Sequence, residues 1–385
     1  MKFTRGRIAV VGAGLLTLAG AAVFAVTSAA ADPAGWTSTI SALPAAPLSA
    51  RRDVAAVWTG AEMLVWGGFA GNQAAERYFA DGAAYDPGKS RWRTLPAAPL
   101  AARSEAQAVW TGTEMIVWGG ADARHSPKGV TDGAAYNPKT NRWRRIAAAP
   151  GTGRTGGQTL MTAGRMVVFG GSGVTGADAA KTILTYDPRA DRWTSFARPQ
   201  RVVAAAATGS TLFLAEFDDH SRVSVAQVGL DGSELVRGPA IEQVADRVGL
   251  TVDSGTAYLI VTDSEQKTRV HAGAITDGMA PAAWTEKKTS AEAEAPYQIY
   301  TGYSGLITAL SPELLLMSAR PEITVLNSRT GRVLLTESTW EAAKFCGESG
   351  ALIWTGSQLL NWGGQTCRPN GPALTAEGIA VAVHP

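Results

Sequence analysis

The 385-residue sequence has few of the side chains that most often carry chemistry. It contains two cysteines and four histidines. No two histidines have the spacing of a metal site, and four scattered histidines do not establish a Ser-His-Asp triad. We therefore expect no metal and no cofactor, and the sequence offers no motif for a hydrolase.

Charge is also scarce. Charged residues make up 18% of the chain, and the formal net charge is +2. Without Lys2, Arg5 and Arg7, which precede the first apolar run, 32 basic residues face 33 acidic ones, a net charge of −1. This balance lacks the basic surplus of a nucleic-acid-binding protein. Together with 43 glycines, it indicates a compact body of strands and turns.

Long apolar runs are limited to one, from Ile8 to Val26. It follows the three basic residues and precedes Ala29-Ala30-Ala31, which has the A-x-A pattern of a signal peptidase site. We predict that residues 1–31 are a signal peptide, that residues 32–385 form one domain, and that the protein is secreted. The alternative is an uncleaved signal anchor, because the run approaches the length that spans a bilayer.

The body of the chain repeats itself. The segment from Ala56 to Gly68, AVWTGAEMLVWGG, recurs from Ala108 as AVWTGTEMIVWGG. A third copy begins at Thr159 and a fourth at Leu352. Each copy reads as a strand, a tight turn, a second strand and two glycines.

A second pair of strands follows three of these copies. Tyr85-Asp86-Pro87 leads to Arg91-Trp92, and the same order recurs up to Trp143 and Trp193. The Asp or Asn side chain can bond the backbone ahead of it, and the proline presets the next φ for a turn. Each unit therefore holds four strands.

Four strands in about fifty residues is the period of a kelch propeller. The sequence resembles kelch repeats in its diglycine, its third-strand aromatic and its fourth-strand Trp. The middle of the chain is weaker but keeps the rhythm, with turns near Gly209, Gly255 and Pro312. The resemblance implies an all-β, kelch-type β-propeller of seven blades, with six as the alternative.

The two ends of the chain complement each other. The last repeat stops before a fourth strand, whereas the segment from Trp36 to Arg51 parallels that from Trp92 to Arg103. We predict that the strand beginning at Trp36 pairs with residues 378–383 and completes the last blade, which leaves no unpaired edge at the seam.

Tryptophans recur with the period of the fold. We interpret them as packing residues between sheets rather than as a sugar-binding array. They are Trp58, Trp66, Trp110, Trp118, Trp354 and Trp362.

Arginines recur where one blade leads to the next. In kelch proteins this arginine starts the inner strand, and in some members it contacts acidic peptides. The resemblance thus yields six candidate ligand-binding residues at the mouth of the central channel, and we expect Arg103 and Arg154 to be partly exposed there. In the alternative interpretation each guanidinium bonds loop carbonyls and only holds the blade connection. The six are Arg51, Arg52, Arg103, Arg154, Arg201 and Arg247.

The variable loops lie on one face of such a propeller, where binding usually occurs. We predict a monomeric, non-catalytic binding or scaffold module for an anionic glycan, peptide or extracellular protein. The less favoured alternative is an exported enzyme that resembles sugar-acid epimerases, with Glu348, Glu105 or Asp53 as its base.

The two cysteines, Cys346 and Cys367, both lie in the last repeat. A copper enzyme of the galactose oxidase kind needs a tyrosine–cysteine crosslink and two copper histidines, and the placement of these cysteines argues against it. Since the compartment is expected to be oxidising, we predict a disulfide between them.

Overall fold

The computed structural model describes residues 37–71, 76–123, 129–171, 180–245, 247–253, 255–263, 268–276, 279–287, 306–311, 314–319, 322–327, 333–338, 350–368 and 371–384. The predicted signal peptide, Trp36, Cys346 and Glu348 lie outside these residues. The side chains of Arg247 and Cys367 are also outside the description.

The described chain is made of strands and turns. The first strand is β1 (Thr37–Ala42). Blade one follows with β2 (Ala55–Trp58), β3 (Met63–Trp66), a loop hairpin of β4 (Phe69–Ala70) and β5 (Arg77–Tyr78), then β6 (Gly82–Asp86) and β7 (Arg91–Thr94). Blade two contains β8 (Gln107–Trp110), β9 (Met115–Trp118), β10 (Gly133–Asn137) and β11 (Arg142–Ile146). Blade three contains β12 (Gln158–Thr162), β13 (Arg165–Phe169), β14 (Thr182–Asp187) and β15 (Arg192–Ala197).

The later blades have the same order. Blade four contains β16 (Arg201–Thr208), β17 (Thr211–Phe217), β18 (Arg222–Gly229), β19 (Glu234–Arg237) and β20 (Ile241–Val244). Blade five contains β21 (Arg247–Asp253), β22 (Thr256–Thr262), β23 (Thr268–Ala274) and β24 (Thr285–Lys287). The next sheet contains β25 (Leu306–Ser311), β26 (Leu314–Ala319), β27 (Glu322–Asn327) and β28 (Val333–Ser338). The last contains β29 (Ala351–Trp354), β30 (Gln358–Trp362), a loop hairpin of β31 (Gln365–Arg368) and β32 (Gly371–Leu374), and β33 (Gly378–His384).

Within the described residues these strands form seven antiparallel sheets of four or five strands, besides the two loop hairpins. The first strands of the sheets contact one another in a closed circuit, from β29 to β2, β8, β12, β16, β21, β25 and back to β29. The molecule is therefore an all-β propeller with these strands around the central channel, as predicted. The sheet of β25 to β28 is described by its backbone alone.

The second strand of blade one is almost completely buried, because it lies in the middle of a sheet that packs between two others. Residues Met63 to Trp66 are at most 1% exposed. Leu64 and Trp66 pack in one core cluster with Met115 and Val117 of blade two. The propeller core is thus a set of apolar layers between neighbouring blades.

The ring closes through the two ends of the described chain. β1 pairs antiparallel with β33, from Thr37 opposite His384 to Ala42 opposite Ile379. On its other side β33 pairs with β30, so that β1 is the fourth strand of the last sheet. The prediction of closure by the N-terminal strand is confirmed for Thr37 onward.

Five of the six recurring tryptophans pack in core clusters, as predicted, with Trp58 and Trp110 half-buried. Trp66, Trp118 and Trp362 are at most 1% exposed. The fourth-strand indoles join neighbouring blades: the Nε1–H of Trp92 donates to the Pro44 carbonyl at 2.9 Å, and that of Trp143 to the Pro96 carbonyl at 3.0 Å.

Blade four departs from the common pattern at its outer edge. Both β19 and β20 pair with β18, β19 along residues 226–228 and β20 along residues 222–223. The outer strand is therefore broken into two pieces, with residues 238–240 between them. In the described part of the chain we find no helix with the length and hydropathy of a membrane span.

Candidate functional site: the channel mouth

Arg51 is a buried residue at the start of blade one, and its guanidinium bonds several groups of that blade, an arrangement that we call a clamp. Its side chain is fully buried, and Nη1 and Nη2 donate to the two carboxylate oxygens of Asp81 at 2.6 and 3.2 Å. The same guanidinium donates to the carbonyls of Ser49 and Gly67 and lies 3.7 Å above the centre of the Phe79 ring. Both its charge and its donors are satisfied within the protein.

Arg103 repeats this arrangement in blade two. It is 1% exposed and donates to both carboxylate oxygens of Asp132, at 2.7 and 3.2 Å. It also donates to the carbonyls of Ala101 and Gly119.

The diglycines hold the main chain of the same arginines. The N–H of Gly68 donates to the Arg103 carbonyl at 2.8 Å, and that of Gly364 donates to the Arg51 carbonyl at 2.8 Å. At Gly67, where φ is +73°, a Cβ atom would come within 2.8 Å of the Arg103 carbonyl oxygen, so that only glycine fits. The carbonyl of each arginine is therefore bonded to the preceding blade, and its guanidinium is bonded to its own blade. Each arginine thus joins two neighbouring blades.

The expectation that Arg103 and Arg154 are partly exposed is wrong, since they are 1% and 3% exposed. For Arg103 the physical reason is Asp132, immediately before the third strand, which draws the guanidinium inward as Asp81 does for Arg51. Arg154 is held inward by main-chain carbonyls. The signal was present in the sequence, because Asp-Gly-Ala-Ala recurs at 81–84 and 132–135. The binding role of these arginines is untested, but their geometry is that of blade connectors.

Blade three lacks this acid. Arg154 donates to the carbonyls of Thr182 at 2.8 Å and Gly170 at 3.4 Å, and Lys181 occupies the position of Asp81 and Asp132. Burial without a compensating charge lowers the pKa of Arg154 to about 10. Blade three therefore has the positive charge of Lys181 at the position where blades one and two have the carboxylate that pairs with the buried arginine.

The second set of arginines is more open. The side chain of Arg52 is 34% exposed and forms an ion pair with Asp53 at 3.1 Å. Arg201 is exposed at the start of β16. Arg247 begins β21, but its side chain lies outside the described residues. Of the six predicted arginines, the structure thus brings Arg52 and Arg201 to the surface.

Two carboxylates lie side by side at the mouth. Asp53 and Glu105 occupy the same repeat position with φ of +58° and +55°, and the Glu105 N–H donates to the Asp53 carbonyl at 2.9 Å. Burial and the negative charge of Asp53 raise the pKa of Glu105, against a hydrogen bond from Thr155 and the charge of Arg52. Non-glycine residues in this left-handed conformation often mark functional positions.

Blades three and four meet in a basic corner, which we define as Arg154, Lys181 and Arg201. The segment 180–182 joins the two blades: the Val202 N–H donates to the Ala180 carbonyl at 2.9 Å, and the Thr182 carbonyl accepts from Arg154. The nearby Arg198 is instead neutralised by Glu216 and Glu234, at 2.6 and 2.5 Å. Lys181 and Arg201 thus carry charge that no ion pair among the described residues offsets.

Other candidate groups do not join the mouth. His271 lies in β23, the third strand of blade five. His220 is exposed in the turn after β17, where its N–H donates to Asp218. Among the described residues we find no group of three or more His, Cys, Asp or Glu side chains arranged to hold a metal.

Comparison with known proteins agrees with this architecture. Residues 31–216 match the model of the KLHDC2/KLHL20/DRC7 kelch-repeats domain. No curated protein matches the chain. The matched region contains the three buried arginines and the diglycines of blades one to three, and the sheets beyond it continue the same ring. The kelch-repeat match and the closed ring of sheets together show a kelch-type β-propeller.

Proposed function

We propose that this kelch propeller is a non-catalytic binding module that holds an acidic segment of a peptide or protein at the basic corner of its loop face. The supporting observation is the unpaired cation of blade three. Arg154 is buried with carbonyl partners alone, and the residue at the position of its expected counter-ion is Lys181.

The basic corner differs from the rest of the mouth because the arginines of blades one and two are paired with carboxylates. Arg51 and Arg103 are neutralised by Asp81 and Asp132, and Arg52 is paired with Asp53. The mouth of blades one and two offers little net charge to a ligand. A carboxylate placed near Lys181 and Arg201 would restore the ion pairing that blade three lacks, and it would gain charge-assisted hydrogen bonds.

A protein-binding scaffold is the role that the kelch fold suggests. The finer parts of this proposal concern location and ligand. We propose that the protein acts outside the cell after cleavage before Asp32. Sequencing the N-terminus of the exported protein should give Asp32-Pro33, whereas a retained residue 1 would support the signal anchor.

Titration of the purified protein with an oligoglutamate peptide, followed by calorimetry at low salt, tests the acidic ligand. Lys181→Asp should weaken binding at least tenfold, because it replaces an attractive charge by a repulsive one. The matched control is Lys139→Asp, which makes the same charge change at an exposed turn on the opposite face.

Equal weakening by both variants would reduce the effect to net charge and contradict the site. Binding of heparin without binding of oligoglutamate would instead favour a sulfated glycan over a peptide. Absence of saturable binding by the wild-type protein would refute the proposed acidic ligand.

A further inference from the structure

Two arginines at the boundary of blades three and four share one completely buried carboxylate. Arg198 follows β15 and Arg237 ends β19, and both contact Glu216 of β17. The Nε and Nη2 of Arg198 donate to Glu216 at 2.6 and 3.3 Å, and the Nη2 of Arg237 lies 2.8 Å from it. The Glu216 side chain has no exposed surface, so that it holds the two guanidinium groups in place from inside the blade. A single carboxylate offsets only one of their two positive charges.

The second charge is offset by Glu234, the first residue of β19. Its Oε2 accepts from the Nη2 of Arg198 at 2.5 Å and from the Nη2 of Arg237 at 2.9 Å, and its Oε1 accepts from the Nε of Arg237 at 3.2 Å. Hydrogen bonds from Arg237 and Arg198 hold the pKa of Glu234 below its usual range. Glu234 thus bridges the two arginines with charge-assisted bonds, in the geometry by which arginines also bind the carboxylate of a ligand.

The fold holds the two carboxylates with different firmness. Glu216 lies in an inner strand of the sheet, whereas Glu234 lies in a four-residue strand at its outer edge, which pairs with β18 across an irregularity in register. The side chain of Glu234 is 37% exposed and that of Arg237 is 29% exposed. Solvent therefore reaches both members of this ion pair, and a carboxylate from solution can compete with Glu234 for the arginines.

The arginine pair, which we define as Arg198 and Arg237, adjoins the basic corner. The main-chain N–H of Arg198 donates to the Lys181 carbonyl at 2.6 Å. The Nη1 of Arg237 donates to the side-chain oxygen of Gln200 at 3.1 Å, and Gln200 immediately precedes Arg201. An acidic segment with one carboxylate at the basic corner would therefore bring its neighbouring carboxylates close to the arginine pair.

We propose that the arginine pair is a second carboxylate-binding subsite beside the basic corner, and that Glu234 occupies it until an acidic ligand takes its place. Glu234 is then a competitor built into the chain, which lowers the affinity for acidic ligands. A segment with several acidic residues is favoured over one with a single acid, because only the former reaches both subsites. This inference rests on the proposed function, since it concerns the same acidic ligand.

Calorimetric titration of the purified protein with oligoglutamate at low salt tests the subsite. Glu234→Ala should bind the peptide about fivefold more tightly than the wild type, a factor typical of one partly exposed ion pair. The matched control is Glu242→Ala, which removes the same charge from β20 of the same blade, where the side chain is 86% exposed and lies 3.7 Å from Arg222. Adding Arg237→Gln to Glu234→Ala should abolish the gain, because it removes the more exposed arginine of the pair.

Near-UV circular dichroism confirms that each variant is folded. If Glu234→Ala does not fold, Glu234→Gln replaces it, since this change keeps the volume of the side chain and should give a smaller gain in the same direction. The subsite is overturned by an unchanged affinity in the folded Glu234 variant, by an equal gain in Glu242→Ala, or by a gain that survives Arg237→Gln.

The basic corner and the arginine pair fail in different ways. Wild-type binding that is insensitive to Lys181→Asp would contradict the basic corner, whereas a gain in Glu234→Ala that Arg237→Gln removes would still support the arginine pair. Wild-type binding that Lys181→Asp weakens but Glu234→Ala leaves unchanged would keep the corner and refute the arginine pair alone.

Discussion

Ile40 of β1 lies directly opposite Val381 of β33, and both side chains are buried, at 5% and 1% exposure. This pair is the apolar centre of the seam that closes the ring. Ile40→Ala should lower the free energy of unfolding by about 2–4 kcal/mol, because it removes buried methyl groups and leaves a cavity. Thr39→Ala, at an exposed neighbour in the same strand, should change stability little. Urea denaturation measures both, and equal effects would contradict a packed seam.

The clamp of blade two predicts a large effect at a partly exposed acid. Asp132→Ala should destabilise the protein by about 2–4 kcal/mol, because it leaves the guanidinium of Arg103 buried without its counter-ion. The side chain of Asp132 is 40% exposed, which places the effect below that of a fully buried pair. Thermal unfolding of this variant beside Asp231→Ala, an exposed acid of blade four, checks the prediction. A similar melting temperature for both would show that the clamp adds no stability.

Blade three predicts the opposite change. Lys181→Asp should raise the melting temperature, because it gives Arg154 the carboxylate that Arg51 and Arg103 already have. The expected gain is about 1–2 kcal/mol, since the buried cation now has a charged hydrogen-bond partner. A destabilised variant would mean that the loop of blade three cannot bring the new acid to Arg154. The combination of higher stability and weaker acidic-peptide binding is the specific signature of the proposed corner.

The carboxylate pair at the mouth predicts a pH effect. The pKa of Glu105 is raised in the folded protein, so the folded state binds more protons than the unfolded state above the ordinary pKa of 4.5. Its contribution to stability therefore falls as the pH rises through this window. Glu105→Gln should be more stable than the wild type at neutral pH, and the difference should vanish below about pH 4. Denaturation curves at several pH values measure it, and a difference that grows in acid would reverse the sign and contradict the argument.

The disulfide stays a prediction, because Cys346 lies outside the described residues. A bond from Cys346 to Cys367 would stabilise the protein by roughly 3 kcal/mol in the chain-entropy model. Mass spectrometry of the unreduced protein should show no free thiol. Two free thiols would rule the bond out.

Sequence reasoning found the features that the repeat itself dictates. The diglycines, the turn at Asp86-Pro87 and the seam at Thr37 follow from the repeat and its resemblance to kelch propellers, since a closing ring requires the same contact in every blade. The first and second strands of blades four and five were also located by their turns at Gly209 and Gly255.

The spacing of residues in the sequence could not predict whether a side chain points into the protein or toward solvent. Arg103 and Arg201 have neighbouring repeat positions, but one is buried and the other exposed. The carboxylate that neutralises Arg103 belongs to Asp132, which is 29 residues away in sequence and close only in the folded blade. The arginine pair was beyond prediction for a related reason: Arg237 lies on β19, where blade four departs from the repeat.

The register of the seam also determines how the ring would respond to force. Thr37 and His384 lie opposite each other at the same end of two antiparallel strands. A stretching force applied to the chain at these two residues would load the cross-strand hydrogen bonds one pair after another, in the manner of a zipper, instead of shearing all of them together. Under such a force the propeller should therefore open at the β1–β33 contact before any single blade unfolds.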